Sequence, residues 1–192
     1  TKQAPRAFER TVEGIERVSS IVRAMREFAH PDQKEKAPAD INRALQNVLT
    51  VSRNEYKYVA DVVTAFDELP MVVCHLGEIS QVFLNLVVNA AHAIEEVVKG
   101  TNRKGIIGVR TYFNGESVHV TIEDTGCGIP KEIQARIFDP FFTTKPVGKG
   151  TGQGLAISRS IIVDKHGGKL TFDTVAGRGS AFHVDLPVGD KR

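Results

Sequence analysis

A chain of 192 residues with 41% hydrophobic and 25% charged residues has the size and composition of one globular domain with an appendage. Its net charge of +2, without a basic stripe interleaved with aromatic residues, excludes nucleic acid as an expected partner. The two distant cysteines match neither the spacing of a zinc site nor a disulfide framework. No apolar run approaches the roughly 18 residues of a membrane span, and no signal peptide is visible. We therefore expect a cytoplasmic chain without membrane contact.

The first predicted element is a long helix over residues 5–29. Its apolar positions step by three and four residues in alternation: Ile15, Val18, Val22, Met25 and Ala29. Such a heptad-like seam is typical of a helix that pairs with another helix, and the polar stretch 30–38 that follows favours this interpretation over a surface helix on its own domain. Since the chain begins with threonine, we also expect it to be an excised part of a longer protein.

The rest of the chain alternates between helical and strand patterns. In order, we predict a helix over 40–54 capped by Asp40, a strand over 59–67, a helix over 78–98, a hairpin of 105–113 and 117–124 turning at Asn114-Gly115, a short helix over 131–138, a helix over 152–166, and a hairpin of 168–175 and 179–188. This mixture predicts an α+β fold, a two-layer sandwich of a mixed, mostly antiparallel sheet with helices on one face.

The helix over 78–98 carries two stripes. The predicted core stripe consists of Ile79, Val82, Phe83, Leu86, Ala90, Ile94 and Val97. Beside it lie Asn85 and Asn89, which are stacked one turn apart although asparagine costs a helix about 0.7 kcal/mol relative to alanine. Amide oxygens are neutral ligands that suit Mg²⁺ already balanced by phosphates, and the alternative is that both asparagines only bridge buried backbone.

The segment "DTGCGIP" places Asp124 at the end of a predicted strand, next to Gly126 and Gly128. A carboxylate only accepts hydrogen bonds, so its natural partner is a donor such as an exocyclic amine, and glycines let a flat ring or a phosphate chain approach the backbone closely. An ordinary surface turn is the alternative.

The segment "GKGTGQGL" places four glycines before a predicted helix, which is typical of a phosphate site built from backbone amides and the positive helix end. It is not a P-loop, because Lys149 is followed by Gly150, and no strand directly precedes it as a dinucleotide-binding fold requires. A flexible surface loop is the alternative.

Taken in this order, the asparagine helix, "DTGCGIP", "FDPFF", the glycine segment and the closing "GRGSAF" resemble the ATP-binding domain of the superfamily that contains gyrase, Hsp90, histidine kinases and MutL. The resemblance covers residues 35–188 and implies the Bergerat ATP-binding fold with ATP and Mg²⁺ as cofactors. The nucleotide-binding residues that it implies are Asn89, His92, Asp124, Gly126, Gly128, Ile129, Lys145, Gly150, Thr151, Gly152, Gly154, Leu155 and Ser180.

The resemblance also implies roles. Asp124 would accept from the adenine amino group with support from Ser180 through water, and Asn89 would ligate Mg²⁺, with Asn85 one turn earlier supporting the same site. Residues 139–153 would form a lid in which Lys145 meets the terminal phosphates. His92 has two open interpretations, as a basic side chain near the phosphates or as a solvated helix histidine.

Within the superfamily, "FDPFFTTK" and "RVSSIVRAMREFAHP" resemble sensor histidine kinases of the nitrogen-regulation type. Residues 1–31 would then be the second helix of the dimerisation hairpin and 32–192 the catalytic domain, with the acceptor helix missing. Implied partners are ATP or ADP, the hairpin of the same kinase in a full-length homodimer, and a response regulator receiver domain.

The implied catalytic residues are Asn85 and Lys145. Asn85 stands where hydrolytic relatives carry a glutamate that activates water, and an amide cannot act as a general base. This favours phosphoryl transfer to histidine over the two rival hypotheses, a hydrolytic ATPase and a non-catalytic nucleotide-binding module.

Overall fold

The computed structural model describes residues 35–144 and 152–189, and the helix predicted over residues 5–29 lies outside them. The elements are β1 (Ala37–Ala39), α1 (Ile41–Val51), α2 (Arg53–Tyr56), β2 (Ala60–Phe66), β3 (Val72–Cys74), α3 (Leu76–Val98), β4 (Gly105–Phe113), β5 (Ser117–Asp124), α4 (Gly154–Arg159), β6 (Lys169–Val175) and β7 (Gly179–Pro187). A 3₁₀ turn covers Gln134–Arg136, and a π-helical segment, Ser160–Lys165, continues α4 without a break.

A five-stranded sheet in the order β2-β4-β5-β7-β6 forms one layer. β2 pairs with β4 in parallel, and the other three pairs are antiparallel. Helix α3 packs across β4, β5 and β7, while α1 and α4 pack on α3. The predicted two-layer α+β sandwich with a mixed, mostly antiparallel sheet is therefore confirmed.

The core lies between α3 and the inner face of the sheet. Alternate residues of each strand point inward, because successive side chains of a strand face opposite sides. The largest fully buried side chains include Phe83, Ile79 and Leu86 from α3, which meet Ile107 and Ile122 from the sheet. Burying one such side chain stabilises the fold by about 1.5–3 kcal/mol.

Local sequence signals set several boundaries as predicted. The Asp40 carboxylate accepts a hydrogen bond from the Arg43 N–H at 3.0 Å and caps α1. In the β4–β5 hairpin, the Asn114 side-chain oxygen accepts from the N–H groups of Glu116 and Ser117, and Gly115 adopts a φ of 97°. The Asn-Gly turn is confirmed.

Two expectations were wrong in detail. Val97 is 51% exposed and does not belong to the core stripe. In the last turn of α3 the residue that faces the core is Val98, which lies four residues after Ile94. Residues 131–138 form only a 3₁₀ turn with bonds three residues apart, such as Arg136 N–H to Ile133 O. The nine residues between Pro130 and Pro140 leave room for only about two helical turns, and so short a helix is marginal unless tertiary packing stabilises it.

The strand pair β1–β3 was not predicted from the sequence. Its two three-residue strands pair antiparallel, with Ala37 opposite Cys74 and Ala39 opposite Val72. The pair joins the described start of the chain to the start of α3. No helix of the described residues has the length and apolar character that crossing a membrane requires.

Candidate functional site

A cavity of about 590 Å³ opens between α3, the end of β5, the segment that follows it, and the start of α4. Among the described residues it is lined by Asn85, Val88, Asn89, Ala90, His92, Ala93, Glu96, Asp124, Cys127, Gly128, Ile129, Pro130, Ile133, Ile137, Phe142, Thr143, Thr144, Gly152, Gly154, Leu155, Ser180 and Phe182. The structure therefore gathers residues from all the predicted motifs around one space.

Asp124 reaches the cavity because it ends β5, opposite Ser180 of β7. One carboxylate oxygen accepts from the Gly126 N–H at 2.7 Å, and the Ser180 N–H also donates to the carboxylate. Burial raises the pKa of Asp124, and these two hydrogen bonds oppose the rise. The result is a fixed carboxylate acceptor at the wall of a largely apolar space.

The glycines of "DTGCGIP" allow close backbone packing. A Cβ at Gly126 would lie 2.5 Å from the Ala93 carbonyl carbon, and the Cys127 N–H donates to the Ala93 oxygen at 3.1 Å. Gly126 thus lies behind the cavity wall and fixes the loop to α3, whereas Gly128 lines the cavity. Gly128 has a φ of 67°, and a Cβ there would overlap the Val175 backbone.

Thr174 is a part of the site that the sequence analysis missed. Its hydroxyl accepts from the Ile129 N–H at 2.9 Å and lies 2.9 Å from the Ser180 hydroxyl and 3.0 Å from the Gly179 carbonyl. One side chain therefore ties the "DTGCGIP" loop to the β6–β7 hairpin. The hairpin that carries Thr174 was predicted, and in its observed register Thr174 lies opposite Ser180, but the bond to Ile129 joins segments 45 residues apart.

Helix α3 brings Asn85, Asn89 and His92 to the cavity, as its polar stripe predicts. The Asn85 amide nitrogen donates to the Ser158 hydroxyl on α4 at 3.0 Å. Ser158 was not singled out from the sequence, and this contact spans 73 residues of chain.

The predicted lid begins and ends at the cavity. A Cβ at Gly152 would overlap the backbone of Phe141, so the two ends of the segment meet there. Both residues have positive φ, 66° at Phe141 and 65° at Gly152. Gly152, Gly154 and Leu155 line the cavity, whereas Lys145, Gly150 and Thr151 lie outside the described residues.

The remaining polar groups limit the chemistry. Burial, together with the neighbouring Glu96 carboxylate, raises the pKa of the Cys127 thiol to about 11, so it stays protonated at neutral pH and is a poor nucleophile. Within residues 35–144 and 152–189, no group of three or more His, Cys, Asp or Glu could hold a metal ion. Asn85 and Asn89, whose side chains carry amide oxygens that can ligate a hard cation, line the same cavity.

Comparisons with known proteins agree with this arrangement. Residues 76–190 match the family described as histidine kinase-, DNA gyrase B-, and HSP90-like ATPase. The sensor protein TdiS of Thauera aromatica is 34% identical over 179 residues, in a match that covers 91% of this chain and 31% of TdiS. The sensory histidine kinase/phosphatase NtrB of Azospirillum brasilense is 32% identical over 187 residues, in a match that covers 92% of this chain and 45% of NtrB.

Solved structures show the same fold. The catalytic domain of histidine kinase ThkA has a TM-score of 0.68 and 32% identity, covering 80% of this chain and 98% of that domain. ThkA in complex with the response regulator protein TrrA has a TM-score of 0.65 and 29% identity, covering 94% of this chain and 50% of that one.

Proposed function

The chain belongs to the histidine kinase-, DNA gyrase B-, and HSP90-like ATPase family, and we propose that it works as the catalytic core of a two-component sensor histidine kinase. It binds MgATP and transfers the γ-phosphoryl group to a histidine on a dimerisation hairpin. Positioning and charge stabilisation supply most of the catalysis in such a transfer, since little covalent chemistry falls to the protein.

The fixed carboxylate of Asp124 is the observation that carries this proposal. Two backbone N–H groups hold it at the cavity wall, facing a space lined by Ile133, Ile137 and Phe182. An apolar slot with one acceptor suits a flat base that has an exocyclic amine. Adenine presents that amine, whereas guanine would present a carbonyl oxygen to the same carboxylate.

Mg²⁺ suits the other end of the cavity. Asn89 offers an amide oxygen there, and neutral oxygen donors suit a cation whose charge is balanced by phosphates. When bound, Mg²⁺ neutralises charge on the phosphates. Asn89 would hold the ion, and His92 lies one turn further along α3. Lys145 and the backbone of Gly150 and Thr151 are proposed to meet the phosphates.

Transfer to histidine is favoured over hydrolysis because Asn85 offers no base. Its amide nitrogen is engaged with Ser158, and an amide oxygen does not take a proton from water at neutral pH.

The proposed partners follow from the relatives. Residues 1–31 would form the second helix of the dimerisation hairpin, and residues 32–192 would form the catalytic domain. The full-length protein would be a homodimer whose kinase core lies in the cytoplasm. The complex of ThkA with the response regulator protein TrrA supports a receiver domain as the downstream partner.

The test is to incubate the chain with γ-labelled MgATP and a separate dimerisation hairpin that carries the acceptor histidine. We expect label on the hairpin to accumulate faster than free phosphate. Free phosphate without labelled hairpin would establish a hydrolase instead, and binding without either product would establish a nucleotide-sensing module.

A further inference from the structure

Asn85 is held by a buried hydroxyl of the neighbouring helix. Ser158 is 1% exposed, and its oxygen lies 3.0 Å from the Asn85 amide nitrogen. The same hydroxyl donates to the Gly154 carbonyl at 2.9 Å, four residues earlier on α4.

These contacts fix which way the Asn85 amide faces. A serine hydroxyl has one proton, and that of Ser158 is used on the Gly154 carbonyl, so the hydroxyl can only accept from Asn85. The amide must therefore present its NH₂ group to Ser158. Its oxygen is left on the other side of the amide from Ser158, and Asn85 and Gly154 both line the cavity.

Gly154 leaves the room for this arrangement. A Cβ at position 154 would overlap both polar atoms of the Asn85 amide. The start of α4 and the middle of α3 can thus approach closely only with glycine at this position.

We propose that Ser158 is a positioning residue, which turns the Asn85 amide oxygen toward the cavity so that it serves the Mg²⁺–triphosphate group together with Asn89. The proposal rests on the function proposed above. Asn85 and Asn89 lie one helical turn apart on the same face, so two amide oxygens then meet the same part of the cavity. Without the Ser158 acceptor, the NH₂ group loses its buried partner, and the amide gains by rotating toward another one.

The first experiment measures ATP affinity by calorimetry over a series of Mg²⁺ concentrations for wild type and Ser158→Ala. Removing a partner that orients a metal ligand commonly weakens metal affinity 10- to 100-fold, so we expect the Mg²⁺ dependence to shift by about tenfold. Binding of ADP without Mg²⁺ should change by less than about twofold, because the base end of the cavity is untouched.

Ser52→Ala is the matched control. Ser52 is 2% exposed and its hydroxyl also donates to the carbonyl four residues earlier, Val48, at 2.7 Å, but it caps the end of α1 and does not line the cavity. It should leave the Mg²⁺ dependence unchanged. An equal shift in both variants would show a general loss of packing and overturn the proposal.

A double-mutant cycle then separates positioning from an independent structural role. If Ser158 acts through Asn85, the pair Asn85→Ala and Ser158→Ala should match Asn85→Ala alone within about twofold. Additive losses would overturn the proposal. If Ser158→Ala does not fold, Ser158→Thr, which keeps the hydroxyl, should bind Mg²⁺ more tightly than Ser158→Cys, and equal affinities would contradict it.

The two proposals fail differently. A wild-type chain that binds no ATP, or binds it without Mg²⁺ dependence, would contradict the proposed function. If ATP binding by the wild type depends on Mg²⁺ and Ser158→Ala shows the same dependence, only the proposed role of Ser158 is contradicted.

Discussion

Asp124 is placed to bind a ligand, although its buried charge lowers the stability of the domain without ligand. Burial raises its pKa, so the folded state holds this proton more tightly than the unfolded chain. Stability contributed by Asp124 is therefore lost as the pH rises from its ordinary value of 3.8 through the raised folded value. Burial of the ionised carboxylate therefore opposes folding, which fits a residue whose role is to bind a ligand.

Asp124→Asn should lower ATP affinity about 10- to 100-fold, the range expected for one hydrogen bond to a charged group. The preference for ATP over GTP should vanish with it, because an amide can turn either a donor or an acceptor toward the base. Calorimetric titration of both nucleotides into wild type and variant measures this. Equal affinity of the wild type for ATP and GTP would show that Asp124 does not read the base.

Asn89→Ala should lose Mg²⁺-dependent triphosphate binding and keep the fold. The residue is half-buried on the polar stripe of α3, so its truncation opens no void in the core. A circular dichroism melt shows the fold and a nucleotide titration with and without Mg²⁺ shows the binding. Gln81→Ala, an exposed change on the same helix, is the control. A variant that unfolds while retaining its Mg²⁺ dependence would make Asn89 structural.

At the scale of elements, α3 and the helical segment after α4 are joined at one end of the helical layer. The His166 ring accepts from the His75 N–H at 3.0 Å through Nε2 and donates to the Ile161 carbonyl at 2.7 Å through Nδ1. Lys165 and Glu78 form an ion pair across the same helix ends at 2.5 Å. The start of α3 is therefore attached to the helical segment that follows α4.

This attachment requires neutral His166, since Nε2 must carry a lone pair. Burial lowers the pKa of His166 below its ordinary value of 6.5. As the pH falls through 6.5, the unfolded chain takes up the proton first, so stability declines until the folded pKa is reached and is constant below it. Above 6.5 the contribution is fully present.

Urea unfolding between pH 8 and pH 5 tests this for wild type and His166→Gln. The free energy of unfolding of the wild type should fall on acidification because His166 titrates, and that of the variant should change less with pH. The stability difference between wild type and variant should therefore become smaller as the pH falls. The variant should also be less stable at pH 8, by about 1–3 kcal/mol for the lost buried partners. Parallel profiles would show that His166 is not the titrating group.

The sequence predicted those elements whose signals are local. Asp40 caps α1 through a residue three positions away, and Asn114 forms its turn through residues two and three positions away. The apolar and polar stripes of α3 repeat with the helical period. Contacts between distant segments were not predictable in this way. Ser158 bonds to Asn85 across 73 residues, and Thr174 to Ile129 across 45, so their roles depend on packing that no local pattern encodes.

At the scale of the whole molecule, the two faces of the sheet have different uses. The helical face holds the core and the cavity. The opposite face, which we call the open face because no helix of residues 35–144 and 152–189 packs on it, carries polar side chains that bond to one another. His119 stacks on Tyr112 with ring centroids 4.4 Å apart and meets Asp185 at 2.5 Å, and His183 contacts Asp173 at 3.2 Å. This alternation follows from the strands, in which Val118, Val120 and Ile122 face the core.

The same layering bears on which histidine could accept a phosphoryl group. His119 and His183 lie on the open face, away from the cavity, and His166 is buried with both ring nitrogens bonded. His75 caps α3 beside His166. His92 lines the cavity on α3, the helix proposed to hold the Mg²⁺–triphosphate group, and from there it would not readily align behind a γ-phosphate for in-line attack. None of these five is followed by the acidic neighbour that would help to take its proton.

We therefore predict that this 192-residue chain does not phosphorylate itself on histidine, although it phosphorylates a supplied hairpin in trans. The sixth histidine, His30, lies outside the described residues, and Pro31 follows it directly in place of an acidic residue. Incubation with γ-labelled ATP, followed by acid and by alkali, separates acid-labile phosphohistidine from alkali-labile phosphoserine. The hairpin with its acceptor histidine replaced by alanine is the control. Stoichiometric acid-labile label on the chain alone would place the acceptor within it, and His30→Ala would then show whether that residue carries it.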